Sequence, residues 1–247
     1  MPTPLRYIPE DAKLWRDAKG RPIAIVEITV RCLLGMYLLK PTERNTALIK
    51  GVLGRAQARL DFELFGYAYL SNHGSLLAGV RSAQHLATIM EYLHSNIARE
   101  LGRPEHSDWQ GRFWGRRGRP ILVLTEDDLV DRMRYLLSNS TKEDLVKHPT
   151  RWPGAHCARP LCFGEKDHGI WIDRTRLTKL RRRKRTSAET REEDVMTLYE
   201  LKLSKLPCWQ DLSDEEYRER IKACLLYTSD AADDDTIVWI SGVAGSL

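Results

Sequence analysis

The chain has 247 residues, of which 42% are hydrophobic and 30% are charged, and its formal net charge is +5. This length suits one domain of ordinary size with an extension, and the hydrophobic share is sufficient for a packed core. No apolar run approaches the ~18 residues of a membrane-spanning helix, and the first residues lack the apolar region of a signal peptide. We therefore expect a cytoplasmic protein without a membrane segment.

The charge is distributed unevenly along the chain. Four of the 34 acidic residues and none of the 39 Lys and Arg residues fall within 224–247, so residues 1–223 carry a net charge of +9. A polyanionic partner is the natural expectation, although a merely basic protein stays open. The five cysteines are odd in number and irregularly spaced, which predicts no disulfide framework. A zinc site formed by His156, Cys157 and Cys162 is disfavoured because no second ligand pair follows.

Local patterns in the first half of the chain predict alternating strands and helices. A β-branched run predicts the first strand, and hydroxyl residues before apolar stripes of helical spacing predict the helix starts. The predicted elements are, in order, a loop at 1–22, a strand at 23–30, a helix after Thr42, strands at about 62–70 and 75–80, and a helix from Ser82 to Leu101.

A polar step, Asn72-His73-Gly74, separates the two central strands. Asn and Gly tolerate left-handed backbone, so an ordinary turn with a hydrogen-bonded histidine is one interpretation. The other is a metal or phosphate ligand, because rigid strands on both sides would hold the imidazole in place.

A basic and aromatic segment follows at 103–120. Guanidinium groups suit phosphates, and exposed aromatic faces stack on unpaired bases. The alternative is a loop whose aromatic residues are tucked into the core while its arginines are solvated. The candidate DNA-binding residues here are Arg112, Trp114, Arg116, Arg117 and Arg119.

A strand at 121–124 and a helix capped by Thr125 complete the core pattern. On that helix Tyr135 and Asn139 are one turn apart and share a face. Taken alone, Tyr135 is typical of a packed core tyrosine. The order strand, helix, strand, strand, helix, strand, helix predicts an α+β fold, a ferredoxin-like antiparallel sheet with helices on one face.

Beyond Pro153 the sequence predicts a basic, largely helical or irregular C-terminal extension. Eight of the twelve residues from Arg174 to Arg185 are basic. Such a run is usually solvated, but beside a DNA-binding core it could follow phosphates. The candidate DNA-binding residues in it are Arg181, Arg182, Arg183, Lys184 and Arg185.

Three motifs together resemble a known family. Residues 70–77 are similar to the Pro-Asn-His-x-His-Leu-Leu box of the REP-associated tyrosine transposases, single-strand enzymes of the HUH class. The pattern from Trp109 to Arg117 resembles the corresponding region of that family. The helix with Tyr135 and Asn139, followed by Trp152-Pro153, resembles its Tyr-x-x-x-Asn segment. One departure matters, since the second histidine of the box is Ser75 in this chain.

The resemblance implies a ferredoxin-like fold over about 20–150 and DNA transposition as the activity of a bacterial mobile element. It implies that Tyr135 is the nucleophile, forming a 5′-phosphotyrosine on single-stranded hairpin DNA, and that a homodimer is a further expectation. It implies that His73 and Asn139 ligate Mg²⁺ or Mn²⁺ in a site weakened by Ser75, a neutral oxygen donor. His85 or water could compensate. A catalytically decayed relative that only binds structured single-stranded DNA, or an RNA-binding module, remains open.

The last segment, 224–247, resembles the conceptual translation of a sequencing-library adapter. The helical pattern before it breaks off at Ala223. We therefore expect a non-native tail, with a real acidic tail as the alternative. The predicted division of the chain is a loop at 1–22, a transposase-like domain at 23–153, a basic extension at 154–223 and the tail at 224–247.

Overall fold

The computed structural model describes residues 8–104, 107–183 and 190–234, with the backbone alone for Arg183 and 226–234. Within these ranges the strands are β1 Trp15–Arg16, β2 Pro22–Arg31, β3 Glu63–Tyr69, β4 His73–Val80, β5 Arg119–Val123, β6 Asp167–Ile172 and β7 Met196–Leu201. The helices are α1 Glu43–Leu60, α2 Ala83–Leu101, α3 Glu126–Lys142, α4 Ala158–Phe163, α5 Arg174–Arg183 and α6 Asp214–Asp234.

Helices α1, α2 and α3 each begin after a hydroxyl residue, as the sequence predicts. The side chains of Thr42, Ser82 and Thr125 each accept a hydrogen bond from the backbone N–H three residues later, at 3.1 Å. These caps satisfy backbone donors that the first helical turn leaves without partners. No helix among the described residues is both long enough and apolar enough to cross a membrane.

The central sheet is antiparallel, in the order β5–β2–β4–β3. Together with helices after the first and third of these strands in the chain, this order is that of a ferredoxin-like α+β fold. The predicted fold class is therefore confirmed. The predicted N-terminal loop contains β1, which pairs with the start of β2.

The helices occupy both faces of this sheet, which differs in one detail from the predicted arrangement. The hydroxyl of Tyr67 donates to Asp167, whose other partner is Lys50 of α1, so α1 lies on the Tyr67 face. Helix α2 packs against α1. Neighbouring residues in a strand point to opposite faces, and Gly66 contacts α3, so α3 covers the other face.

The C-terminal extension contains a β-hairpin that the sequence pattern did not indicate. Strands β6 and β7 pair antiparallel and pack on α1. The contact is backbone to backbone, because a methyl group on Gly51 would overlap the Ile170 carbonyl and one on Gly169 would overlap the Gly51 amide. Glycine is thus required on both sides of this helix–strand contact.

Gly51→Ala is expected to lower the free energy of unfolding by about 1–3 kcal/mol, because the added methyl group pushes the hairpin away from α1. Gly66→Ala is the matched control, since its new methyl group would lie 3.3 Å from the flexible ends of Met133 and Leu136. Urea unfolding of both variants makes the comparison. Equal stability of the Gly51 and Gly66 variants would contradict the assigned contact.

Helix α6 continues through the predicted tail boundary without interruption. It packs against α3 and α4, and the side chains of Cys224 and Leu225 are buried. The change in sequence character at Ala223 therefore has no counterpart in the described backbone. The non-native origin of 224–247 stays a prediction, and residues 235–247 lie outside the described residues.

Candidate active site and the Tyr135 cleft

His73 begins β4 and is held from both ring nitrogens. Its Nδ1 lies 2.7 Å from Asn72 Oδ1, so Nδ1 carries the proton and donates it. Its Nε2 lies 3.4 Å from Nδ2 of Asn139 on α3. Burial, and then the positive charge of Arg31, lower the pKa of His73 below its ordinary value. The imidazole is therefore neutral at pH 7, with its Nε2 lone pair directed towards Asn139.

Tyr135 lies one turn before Asn139 on the same helix. The buried apolar residues of α3 are Leu129, Met133, Leu136 and Leu137, so the apolar stripe that anchors the helix to the sheet does not include Tyr135. The Tyr135 side chain is 42% exposed, and Lys142 Nζ lies 5.1 Å from its ring centroid. Tyr135 is therefore an exposed phenol on a fixed helix and is not a packed core tyrosine.

The phenol lines a cleft of about 1100 Å³, which we call the Tyr135 cleft. Its lining comes from β2, the turn at 32–34, the segment 115–121 and helix α3. The lining contains five arginines and one buried carboxylate. The arginines are Arg31, Arg116, Arg117, Arg119 and Arg132, and the carboxylate is that of Glu27. The excess of positive charge in a concave surface favours a polyanionic ligand.

The floor of the Tyr135 cleft carries polar residues that the sequence analysis did not select. Glu27, Thr29 and Arg31 alternate along β2 and therefore share one face. Arg132 Nη1 donates to Glu27 Oε2 at 3.0 Å, and burial raises the pKa of Glu27 although Arg132 opposes this. The sequence signal that could have identified these residues is a charged or polar residue at every second position of the β-branched strand β2.

Ser75 lies on this same face, directly opposite Thr29 in the β2–β4 pairing, while His73 is opposite Arg31. The Ser75 hydroxyl is buried and lies 3.3 Å from Thr29 Oγ1. The structure therefore brings His73, Ser75 and Asn139 to one end of the face that α3 covers.

His85 lies beyond the opposite end of β4. Its Nδ1 accepts a hydrogen bond from the Arg81 N–H at 3.2 Å, and its Nε2 is 2.8 Å from the Leu60 carbonyl. This histidine is therefore committed to a local cap and does not replace the missing imidazole at Ser75.

The donor set near His73 is neutral and small. One imidazole, one amide and one hydroxyl suit a divalent cation only in part, since hard cations prefer carboxylate oxygens. Among the described residues, no three His, Cys, Asp or Glu side chains converge as a metal cluster. The disfavoured zinc group gains no support, because burial raises the pKa of the Cys157 thiol to about 12 and the thiolate is the form that binds zinc.

The predicted DNA-binding residues fall into three groups. Arg116, Arg117 and Arg119 line the Tyr135 cleft. Arg112 and Trp114 line a neighbouring cleft against α2, which Arg116 and Arg117 also line. The indole N–H of Trp114 donates to the His94 carbonyl at 2.8 Å, and its ring packs against Phe113, so this aromatic residue is partly tucked in.

The basic run of the extension lies elsewhere. Arg174, at the start of α5, pairs with Glu100 of α2 at 2.7 Å, so α5 lies beside the end of α2. Arg181 and Arg182 are exposed on α5 and do not line the Tyr135 cleft. The side chain of Arg183, and Lys184 and Arg185, lie outside the described residues.

Comparison with known proteins shows a distant structural similarity. No protein-family model and no curated protein matches the chain. Among solved structures, a REP-associated tyrosine transposase bound to a REP hairpin is similar, with 14% sequence identity and a TM-score of 0.49. The alignment covers 66% of this chain and 87% of that one. A likeness of this strength fixes neither the activity nor the site residues of this chain.

Proposed function

We propose that this chain binds single-stranded, hairpin-bearing DNA in the Tyr135 cleft and cleaves and rejoins one strand through a covalent phosphotyrosine. The observation that carries the proposal is the exposed phenol of Tyr135 in a cleft that five arginines line. Guanidinium groups bind phosphodiesters in bidentate geometry and neutralise their charge. The helix that carries the phenol also places Asn139 against His73, so the candidate site rests on rigid elements.

The proposed chemistry exchanges one phosphoester for another. Tyr135 Oη forms a bond to phosphorus while the bond from phosphorus to the 3′ oxygen breaks, and the phenol proton is lost as the leaving oxygen becomes a 3′-hydroxyl. A 3′-hydroxyl then attacks the phosphotyrosine, and Oη regains a proton. Because the ester energy is conserved, no nucleotide triphosphate is consumed. Arg31 and Arg119 on the cleft floor bind the phosphate and orient it for this attack.

His73 and Asn139 are the side chains that would hold a divalent cation. His73 presents a neutral Nε2. The Asn139 amide beside it contains an oxygen that could bind a cation, as well as the nitrogen that lies near His73. A bound Mg²⁺ or Mn²⁺ supplies polarisation of a phosphate oxygen. Because Ser75 adds only a neutral hydroxyl, we propose weak binding of the cation that depends on oxygens from the substrate phosphate.

A second candidate function is binding of structured single-stranded DNA without cleavage. The observation that favours it is the contact between the Ser75 hydroxyl and Thr29, together with the lack of a carboxylate among the three candidate ligands. In this alternative the arginines of the Tyr135 cleft still bind phosphates, and the phenol has no chemical role. An RNA-binding module would use the same surface.

Denaturing electrophoresis distinguishes these functions. The full chain is incubated with hairpin-bearing oligonucleotides labelled at either end, with Mn²⁺ or with a chelator. Cleavage through a 5′-phosphotyrosine retains the 3′ label on the protein and releases the 5′-labelled fragment. Binding without a covalent band supports the decayed relative, and tighter binding of the RNA counterpart supports the RNA module. If none of these strands binds to the chain, the proposal is contradicted.

Ser75→His is expected to tighten Mn²⁺ binding by about tenfold or more, because it adds an imidazole on the face that His73 occupies. The position opposite Ser75 on β3 is Ala68, which leaves more room than a larger residue. Ser75→Leu is the matched control, since it adds comparable bulk without any atom that could bind a cation. Mn²⁺ titration by calorimetry gives the readout, and equal affinity of both variants would contradict the assigned ligand position.

A further inference from the structure

Leu34 is an apolar side chain held in solvent at the edge of the Tyr135 cleft. It is 90% exposed, the highest exposure among the large hydrophobic residues that the structure describes. It is part of the cleft lining, together with Leu33 and the segment that carries Arg116 and Arg117. Exposure of a single leucine is common, but this one occupies the edge of a concave surface rich in arginine.

The backbone of Leu34 adopts a conformation that side chains other than Gly and Asn rarely take. Its φ is 52° and its ψ is 21°, in the left-handed region, where a branched apolar residue is unfavourable by about 1–2 kcal/mol. Because the Leu34 side chain is exposed, its packing in the core does not offset this unfavourable backbone energy. Residues in strained backbone conformations cluster at active sites and ligand-binding sites, where the surrounding structure holds them in place.

The turn that presents Leu34 is anchored on both sides. The Leu33 N–H donates to the Phe113 carbonyl at 2.9 Å, and the Leu39 N–H donates to the Ser71 carbonyl at 2.9 Å. The Gly115 N–H donates to the Arg31 carbonyl at 2.9 Å, which ties the arginine segment to the same strand end. Leu34 and the cleft arginines are therefore presented by one rigid frame.

Resting on the proposed DNA binding, we propose that Leu34 is a wedge that contacts an unpaired base of the strand whose phosphates lie on Arg116 and Arg117. Nucleobases have apolar faces, and proteins insert leucine-type side chains between bases to hold them unstacked. A single apolar side chain beside guanidinium groups matches a nucleotide, which is apolar at the base and anionic at the phosphate. The wedge adds selectivity to the proposed DNA binding, since it favours strands with an unpaired base near the bound phosphate.

The test uses oligonucleotides that carry 2-aminopurine at successive positions of a hairpin and its single-stranded flank. With the unmodified chain, fluorescence is expected to rise at one position, where the base is unstacked. Leu34→Ala is expected to remove that rise and to weaken binding about fivefold, as estimated from the loss of a partly buried leucine. Leu34→Asn is expected to act in the same way while retaining a residue that tolerates the left-handed backbone.

Leu198→Ala is the matched control, because Leu198 is 66% exposed on β7, which packs on α1 and so lies on the opposite side of the sheet. DNA binding with unchanged affinity and fluorescence in both Leu34 variants would overturn the wedge and leave the proposed function intact. Absence of DNA binding by the unmodified chain would overturn both. A dimer that dissociates on Leu34→Ala in sedimentation would place this leucine at a protein interface and overturn the wedge.

Discussion

Tyr135→Phe is expected to abolish the covalent protein–DNA product, a loss of at least about 100-fold, because the substitution removes the only atom that bonds to phosphorus. Binding of the same DNA is expected to change by less than about twofold. Phenylalanine keeps the exposed ring beside Lys142 and leaves the arginines of the Tyr135 cleft untouched. The covalent band on a denaturing gel and fluorescence anisotropy provide the two readouts.

Tyr37→Phe is the matched control for this prediction. Tyr37 is also an exposed tyrosine, and it lies in the loop before α1 instead of on α3. Its variant is expected to form the covalent product as the unmodified chain does. A covalent band that persists in Tyr135→Phe, or one that disappears in Tyr37→Phe, would show that the phenol on α3 is not the nucleophile.

Lys50→Met is expected to lower the free energy of unfolding by about 3–5 kcal/mol, because it leaves a buried carboxylate without its counter-charge. The Lys50 ammonium lies 2.7 Å from Asp167, whose side chain is only 5% exposed. The Tyr67 hydroxyl also donates to that carboxylate. This cluster joins β3, α1 and β6, so its loss weakens the attachment of the C-terminal hairpin to the core.

Urea unfolding measures this effect, with Lys19→Met as the matched control. Lys19 pairs with Asp61 at 2.8 Å, but both side chains are at least half exposed, so its loss is expected to cost less than about 1 kcal/mol. Tyr67→Phe is expected to fall between the two, since it removes one neutral donor. If Lys50→Met and Lys19→Met were equally stable, the buried pair would not be the attachment point of the hairpin.

Local sequence patterns were sufficient for the core fold. The alternation of β-branched strands with capped amphipathic helices predicted β2 through α3 and their order, and the structure confirms that fold class. The hairpin β6–β7 escaped prediction because its determinants are distant in sequence. Gly169 fits only because α1 has Gly51 at the point of contact, and Asp167 is stable in the interior only because Lys50 and Tyr67 reach it.

The candidate site was predictable only in part, for a similar reason. Resemblance to a family pointed to His73, Asn139 and Tyr135, and α3 does bring Asn139 to His73. Glu27 and Thr29 were missed, because their place in the cleft depends on which face of β2 meets α3. That choice follows from the cross-strand register, in which Thr29 is opposite both Ser75 and Arg119. A pattern within one strand cannot supply this register.

The direction in which a loop side chain points was the hardest feature to predict. Trp114 was selected as a base-stacking residue, yet its indole N–H is engaged by α2 and its ring packs on Phe113. Leu34 was not selected, although it is the apolar group that reaches the solvent at the Tyr135 cleft. Composition gives the residue types in a loop, whereas the anchoring hydrogen bonds of the turn decide which of them faces outward.

Peptide mapping of the covalent product tests the central claim most directly. Trypsin cuts after Arg134 and after Lys142, so the proposed nucleophile lies in the peptide 135–142, where it is the only tyrosine. Mass spectrometry of the nuclease-trimmed product is expected to find this peptide with a nucleotide phosphate on Tyr135. A nucleotide on any other residue, or an unmodified peptide 135–142 in a product that contains bound DNA, would contradict the account.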